Sequence, residues 1–261
     1  DFEKIVDEYM ARYGGADPRE LIIVEPAAAS SGPSASLTLM LKRTPFPSSE
    51  LALLSALDTP VLARDPWNPA PRVLYAARQE EEMVLCFERL WADNGEDDLP
   101  PMCTVANVID YVRQALEGLS FLHEHSIAHG SYNDPRGVML ALGARTATGF
   151  DRATQPVRYY RKGTDAESRR TLDARRADAF AGDVRACADL LAPLIVAAPP
   201  IAGKLRALGT ALMGGEYGAE DARKLWEALC RGVGPETYAA ALEWPPPQLR
   251  IVVGRGGGVA I

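Results

Sequence analysis

Cysteine is scarce and scattered: Cys86, Cys103, Cys187 and Cys230 are the only four in 261 residues, and none forms a C-x-x-C pair. That spacing argues against both a disulfide framework and a zinc site, and it fits a reducing compartment. An excess of positive charge is missing too. Lys and Arg total 28 against 35 Asp and Glu, a formal net charge of -7. An acidic surface repels phosphate, so no nucleic-acid partner is expected. Long apolar runs are also absent. The longest, residues 190–203, is broken by Pro193, Pro199 and Pro200 and is too short to span a bilayer. Residues 1–4 read Asp-Phe-Glu-Lys, without the basic-then-apolar layout of a secretory signal. The expectation is a cytoplasmic protein, with the nucleus as the alternative, that has no membrane partner.

What is present is an ordinary globular composition, 47% apolar and 24% charged, which excludes wholesale disorder and collagen-like repetition. The length allows one large domain or two small ones packed together. Residues 2–13 put Phe2, Ile5, Val6, Tyr9, Met10 and Tyr13 on one helical face, predicting an amphipathic helix that Gly14 and Gly15 stop. Residues 21–24 and 37–42 read as a hairpin around the loop 26–33. A short helix over 48–57, capped by Ser48 or Ser49, and strands over 73–76 and 83–87 complete a strand-rich first hundred residues. From Thr104 the pattern changes. Val105, Val108, Ile109, Val112, Leu116, Leu119 and Leu122 recur at three- and four-residue spacing, which predicts a long helix buried along one side. Strands over 138–142 and 157–160 follow. Residues 161–178 hold six basic and four acidic residues and read as an exposed segment. Helices are predicted over 183–195, 201–213 and 219–230, and the Pro- and Gly-rich residues from 245 onward read as a loose tail.

A small strand-rich half followed by a larger helical half resembles the two-lobed protein-kinase fold. Residues 115–129, Ala-Leu-Glu-Gly-Leu-Ser-Phe-Leu-His-Glu-His-Ser-Ile-Ala-His, are similar to that family's helix leading into the catalytic loop. Asp183-Val184 with Leu190-Leu191 is similar to the Asp-led buried helix of the large lobe. Val84 to Leu90 is similar to the last small-lobe strand running into the hinge, and residues 219–225 resemble a late large-lobe helix. The likeness covers roughly residues 20–230, and Asp65-Pro66-Trp67-Asn68 resembles divergent fungal kinase-like domains in particular. The resemblance implies an α+β, two-lobed fold: residues 1–90 as the N-lobe, 91–244 as the helical C-lobe and 245–261 as a tail, the lobes forming one kinase-like domain.

Phosphoryl transfer needs the phosphates held, Mg2+ coordinated and the attacking hydroxyl oriented, and each task has a motif. The phosphate-covering loop G-x-G-x-x-G corresponds to residues 26–33, with one glycine and two prolines, and proline removes amide donors. Leu39-Met40-Leu41-Lys42 satisfies the apolar strand followed by lysine, with Glu50 on the next helix as its ion-pair partner; an exposed strand-end lysine is the alternative. The catalytic loop H-R-D-L-x-x-x-N reads His129-Gly130-Ser131-Tyr132-Asn133-Asp134-Pro135-Arg136-Gly137. Ser131 stands at the aspartate, and a neutral hydroxyl does not act as a carboxylate base near neutral pH. The metal-binding Asn aligns with Arg136, or with Gly137 counted back from the next strand, and neither side chain binds Mg2+. Asn133 and Asp134 are the nearby substitutes. Where D-F-G belongs, the chain has Arg161-Lys162-Gly163, and a guanidinium there repels the metal. Arg161 and Lys162 either meet an anion directly or belong to the exposed segment. Only 22 positions separate Arg161 from Asp183, and no A-P-E triplet lies between them. His129 is read as a packed structural residue. The resemblance makes Asp183 architectural, its carboxylate accepting backbone amides of the catalytic loop. Phe87 either fills the back of a nucleotide cleft or is ordinary core.

The expectation is therefore a catalytically inactive kinase-like domain, a pseudokinase, that works by binding another protein. Lys42, Glu50, Glu88 and Leu90 are its candidate lining for a weak nucleotide cleft. No resident cofactor is expected, ATP binding is weak if it occurs, and Mg2+ has no ligand set. Candidate docking segments are the N-terminal helix, the basic residues 169–176 and the tail after Trp244. Two competing readings stay open: an unorthodox ATP-dependent phosphotransferase using Lys42 and Asp134, and a nucleotide-binding switch using Arg161 in place of Mg2+. His125 and His129, four apart, offer little to zinc without Cys or a clear acidic ligand.

Overall fold

A computed structural model describes residues 7, 22–24, 39–47, 49–88, 90–92, 102–130, 132, 138–141, 152, 155, 157–161 and 176–243. The chain is α+β. Its first part builds an antiparallel sheet from β1 (Ile22–Val24), β2 (Leu39–Pro45), β3 (Val73–Gln79) and β4 (Glu82–Glu88), in the order β1-β2-β4-β3. Between β2 and β3 lie α1 (Ser49–Leu57) and a 3-10 turn, Leu62–Arg64. A second sheet, in the order β5-β6-β7, joins β5 (Trp91–Ala92), β6 (Val138–Ala141) and β7 (Arg158–Arg161). The helices are α2 (Val105–Glu124), α3 (Arg176–Asp189), α4 (Leu191–Ala197), α5 (Ala202–Gly214), α6 (Ala219–Cys230) and α7 (Pro235–Ala239), with a 3-10 turn at Pro199–Ile201.

Alternation along the strands divides the first sheet into two apolar faces, because successive strand residues point to opposite sides. Register pairs Met40 with Phe87 and Lys42 with Leu85. These four share a face, and its apolar members cluster with Leu54, Met83, Leu90 and Met139. Leu39, Leu41, Val84 and Cys86 form the other face, also buried. β3 and β4 are longer than their apolar runs because they continue through the polar residues of a tight turn, where Glu80 adopts φ 54°.

The long helix forms where the apolar spacing places it. Thr104 caps it: the Asn107 amide donates to Thr104 Oγ1 at 3.4 Å, and the Thr104 amide donates back to Asn107 Oδ1 at 3.2 Å. This is a capping box with Asn in the place of the usual Glu or Gln. The buried stripe of α2 meets α3, α6 and α7 in the largest core. The start of α2 is stitched to the segment after α7, since the Val105 amide donates to Ala240 O at 3.0 Å and the Leu242 amide to Cys103 O at 3.0 Å.

Other boundaries also depart from the sequence reading: β2 runs on to Pro45 where the expected strand ended at residue 42. The helix expected over 183–195 begins earlier, at Arg176, and breaks at Leu190 into α3 and α4. Pro193 accounts for the break: its ring would clash with the carbonyl of Asp189 four residues back, and it has no amide to donate. The exposed segment expected over 161–178 is strand at Arg161 and helix from Arg176. Of the N-terminal helix expected over 2–13, only Asp7 is described, and it is helical. The loop 26–33 and the tail from 245 lie outside the described residues.

The two halves share their cores. Leu57, at the end of α1, is buried in the helical core, while Met139 of β6 belongs to the cluster on the inner face of the first sheet.

Candidate functional site

β2 carries Lys42 on the inner face of the sheet, beside Met40 and opposite Leu85. Two turns of α1 set Glu50 at its start and Leu54 in the same apolar cluster. Lys42 Nζ lies 2.7 Å from both carboxylate oxygens of Glu50, and each side chain is only 12% exposed. A pair this sheltered is shielded little by solvent, and each partner alone would be a costly half-buried charge. The sheltered ammonium excludes the alternative of an exposed strand-end lysine.

Glu88 ends β4 on the surface, and Leu90 is buried in the inner-face cluster with Phe87 and Met139. Phe87 is thus part of a packed apolar cluster.

A second polar arrangement is built on α3. Asp183 is 2% exposed and accepts from the His129 amide through Oδ2 and from the Gly130 amide through Oδ1, both at 2.7 Å. Two charge-assisted bonds to consecutive amides fix the backbone directly before residue 131. Gly130 adopts φ 82°, a left-handed conformation open to glycine without strain. His123, which the sequence reading left without a role, supports the carboxylate from the end of α2. Its Nε2 lies 3.2 Å from Asp183 Oδ2, and its ring stacks on Phe180 at 4.3 Å between centroids. The His129 ring meets Tyr132 edge to face at 5.1 Å.

Ser131, Asn133, Asp134, Arg136 and Gly137 lie outside the described residues, as do Lys162 and Gly163. Arg161 is placed by its backbone alone, as the last residue of β7 opposite Val138 of β6. So the sequence positions compared with the catalytic loop and with D-F-G flank one hairpin-like pair, β6 and β7. Lys42 and Glu50 come together; Asp183, His129 and Gly130 come together.

His125 and His129 do not share a helical face. α2 ends at Glu124, Ser126 takes φ 61°, and His125 Nδ1 bonds Phe121 O at 2.7 Å. Among the described residues no group of three or more His, Cys, Asp or Glu side chains is arranged to hold a metal ion. Burial pushes the thiols of Cys86 and Cys230 up to about 11, so neither is poised as a thiolate. No helix among the described residues is long and apolar enough to cross a membrane.

One polar cluster escaped the sequence reading altogether. Arg223 of α6 lies over the Trp67 ring at 4.6 Å and bonds Glu220, which also accepts from Ser120 Oγ of α2 at 3.1 Å. Hydrogen bonds from Arg223, and then from Ser120, hold the Glu220 carboxyl down to about 2 against the opposing effect of burial. Its sequence signal, Glu220 three residues before Arg223, is an ordinary helix-surface pair.

No protein-family model and no curated protein matches the chain. Among solved structures it is similar to a Toxoplasma protein described as a divergent kinase that lacks the glycine-rich loop and regulates membrane ultrastructure of the parasitophorous vacuole. Identity is 12%, over 92% of this chain and 90% of that one, with a TM-score of 0.49.

Proposed function

We propose that the chain is a catalytically inactive protein-kinase-like domain, a pseudokinase, that acts by binding and regulating another protein. One observation carries the reading: Asp183 clamps the amides of His129 and Gly130, the support that positions a catalytic loop, while the next residue is Ser131 in place of the proton-accepting aspartate. The Lys42–Glu50 pair is the second retained support. In active kinases such a pair works together with a metal-binding aspartate, and both must be in place. Here Arg161 stands at that second position by sequence. The supports of the machinery persist where its acidic groups do not. The fungal affinity read from Asp65-Pro66-Trp67-Asn68 belongs to the same proposal.

On this reading nucleotide is at most a weak ligand, no metal is recruited, and the docking segments are those named from the sequence, all of them outside the described residues apart from Asp7 and the backbone of Arg176. The test is a radiolabel transfer assay with γ-labelled ATP and Mg2+, using the intact chain, a generic acceptor protein and the Asp134→Ala variant. The expected outcome is no incorporation above the no-protein background in either. Incorporation that Asp134→Ala abolishes would establish the phosphotransferase instead. Metal-independent stabilisation by nucleotide, lost in Arg161→Ala, would establish the switch.

A further inference from the structure

The first sheet has a second buried face, turned away from Lys42, whose apolar neighbours among the described residues all lie in the sheet itself. Leu39, Leu41, Val84 and Cys86 are each 3% exposed or less. The partly buried residues packed on them, Leu74, Tyr75 and Ala77, belong to β3. Arg43 continues this face, since it alternates with Lys42 and stands opposite Val84 in register. It is 7% exposed and grips Glu82 through Nε to Oε2 at 2.7 Å and Nη2 to Oε1 at 2.8 Å. Neighbouring strands pair edge to edge and leave the side chains on a face standing clear of the sheet. A face buried to this degree therefore has something lying across it. The burial is that of a single chain, so the cover belongs to the chain itself.

The sequence outside the described residues offers few candidates. Residues 26–38 have no large apolar side chain but Leu37, residues 93–101 are dominated by acid and proline, and residues 245–261 are broken by prolines and glycines. Residues 2–13 alone among them repeat large apolar side chains at helical spacing. The dimensions agree. A helix over 2–13 is roughly 18 Å long, and the outer strands of a four-stranded sheet lie about 14 Å apart. Residues 14–21 lead from it to β1 at the edge of that sheet and reach up to roughly 30 Å. Asp7 supplies the orientation: it is helical and exposed, and its position falls on the side of the helix away from the apolar stripe. We propose that this face of the first sheet is the seat of residues 2–13, which lie across it as an amphipathic helix with Phe2, Ile5, Val6, Tyr9, Met10 and Tyr13 turned inward. The seat does not depend on the pseudokinase reading. It engages the apolar stripe within the chain, so a partner docking on this segment meets its charged side, with Lys4, Asp7 and Glu8.

The test compares the intact chain with Val6→Asp, which sets a carboxylate against the apolar face, with the milder Val6→Ala, and with Asp7→Lys on the water side. Cys86 is the reporter, through its rate of alkylation by N-ethylmaleimide followed by mass spectrometry. Cys187, buried in the helical core, is the internal reference. Val6→Asp is expected to speed alkylation of Cys86 about tenfold, the scale of one buried valine lost, and Val6→Ala to speed it less, with Cys187 unchanged in both. Asp7→Lys is expected to leave both thiols at their original rates. An unchanged Cys86 rate in Val6→Asp, or in Val6→Ala should the aspartate variant not fold, overturns the proposal and leaves the face to another segment of the chain. Equal acceleration of Cys86 and Cys187, or failure of both Val6 variants to fold, also overturns it, since residues 2–13 would then support the whole fold rather than that face. A Cys86 rate in the unmodified chain that falls as protein concentration rises would seat a second copy there and overturns it as well.

Discussion

Asp183 shows how much a single buried carboxylate can organise. It answers two backbone amides and His123, whose ring stacks on Phe180. Removing it leaves consecutive donors in a site largely closed to water, each costing about 1–3 kcal/mol when unsatisfied. Asp183→Ala is therefore expected to lower stability by about 3 kcal/mol or more, and Asp183→Asn, which keeps one acceptor, by clearly less. Chemical denaturation of the two variants checks this, and equal midpoints would contradict the clamp. The role of Asp183 was legible in the sequence through its resemblance to a family position. That of His123 was not, because a histidine near a helix end is compatible with many partners and only the chain path brings α3 beside it. Lys42 and Glu50, eight residues apart, were legible as a candidate pair; their shelter from solvent depends on which face of β2 turns inward, and Lys42 interrupts the apolar run that would have shown it.

At the scale of elements, close approach and charge make opposite demands on neighbouring helices. Gly118 lets α2 meet Pro69, where an added Cβ would lie 3.0 Å from the ring and 3.4 Å from Tyr132 Oη. Proline cannot rotate away, so the overpacking cost of about 1–3 kcal/mol outweighs the roughly 1 kcal/mol of helix propensity gained. Gly118→Ala is expected to destabilise. Gly182→Ala on α3 has open space around its Cβ, so it is expected to stabilise by up to about 1 kcal/mol. Thermal unfolding of both variants gives the comparison, and a shift of the same sign in both would contradict this packing. Between α6 and α2, Glu220 keeps its charge down to about 2, against an ordinary value of 4.5. A carboxyl depressed in the folded state contributes stability above its unfolded value and loses it as pH falls. Glu220→Gln is therefore expected to lower Tm at neutral pH, with the gap to the unmodified chain closing between pH 4.5 and about 2. A gap independent of pH would contradict the assignment. The long helix α2 was plain in the sequence because its period repeats for 20 residues. The split of α3 from α4 was written in Pro193, yet the apolar run across it masked the break.

For the molecule as a whole, the sheet and the helices are not independent bodies that happen to adjoin. α1 contributes Leu57 to the helical core and β6 contributes Met139 to the sheet cluster. The broad order, strands first and helices after, could be read from periodicity; the sharing of cores could not, because it rests on contacts between residues far apart in the chain. The proposed pseudokinase reading requires such a unit, one that holds together as a scaffold. The most direct measurement is a thermal-shift titration of the intact chain with ATP to millimolar concentration, with and without Mg2+. A metal-assisted site filled to a hundred times its Kd would add about 2.7 kcal/mol of stability. The account predicts that Mg2+ adds nothing to the effect of nucleotide alone. A rise in Tm that requires both Mg2+ and ATP would contradict it.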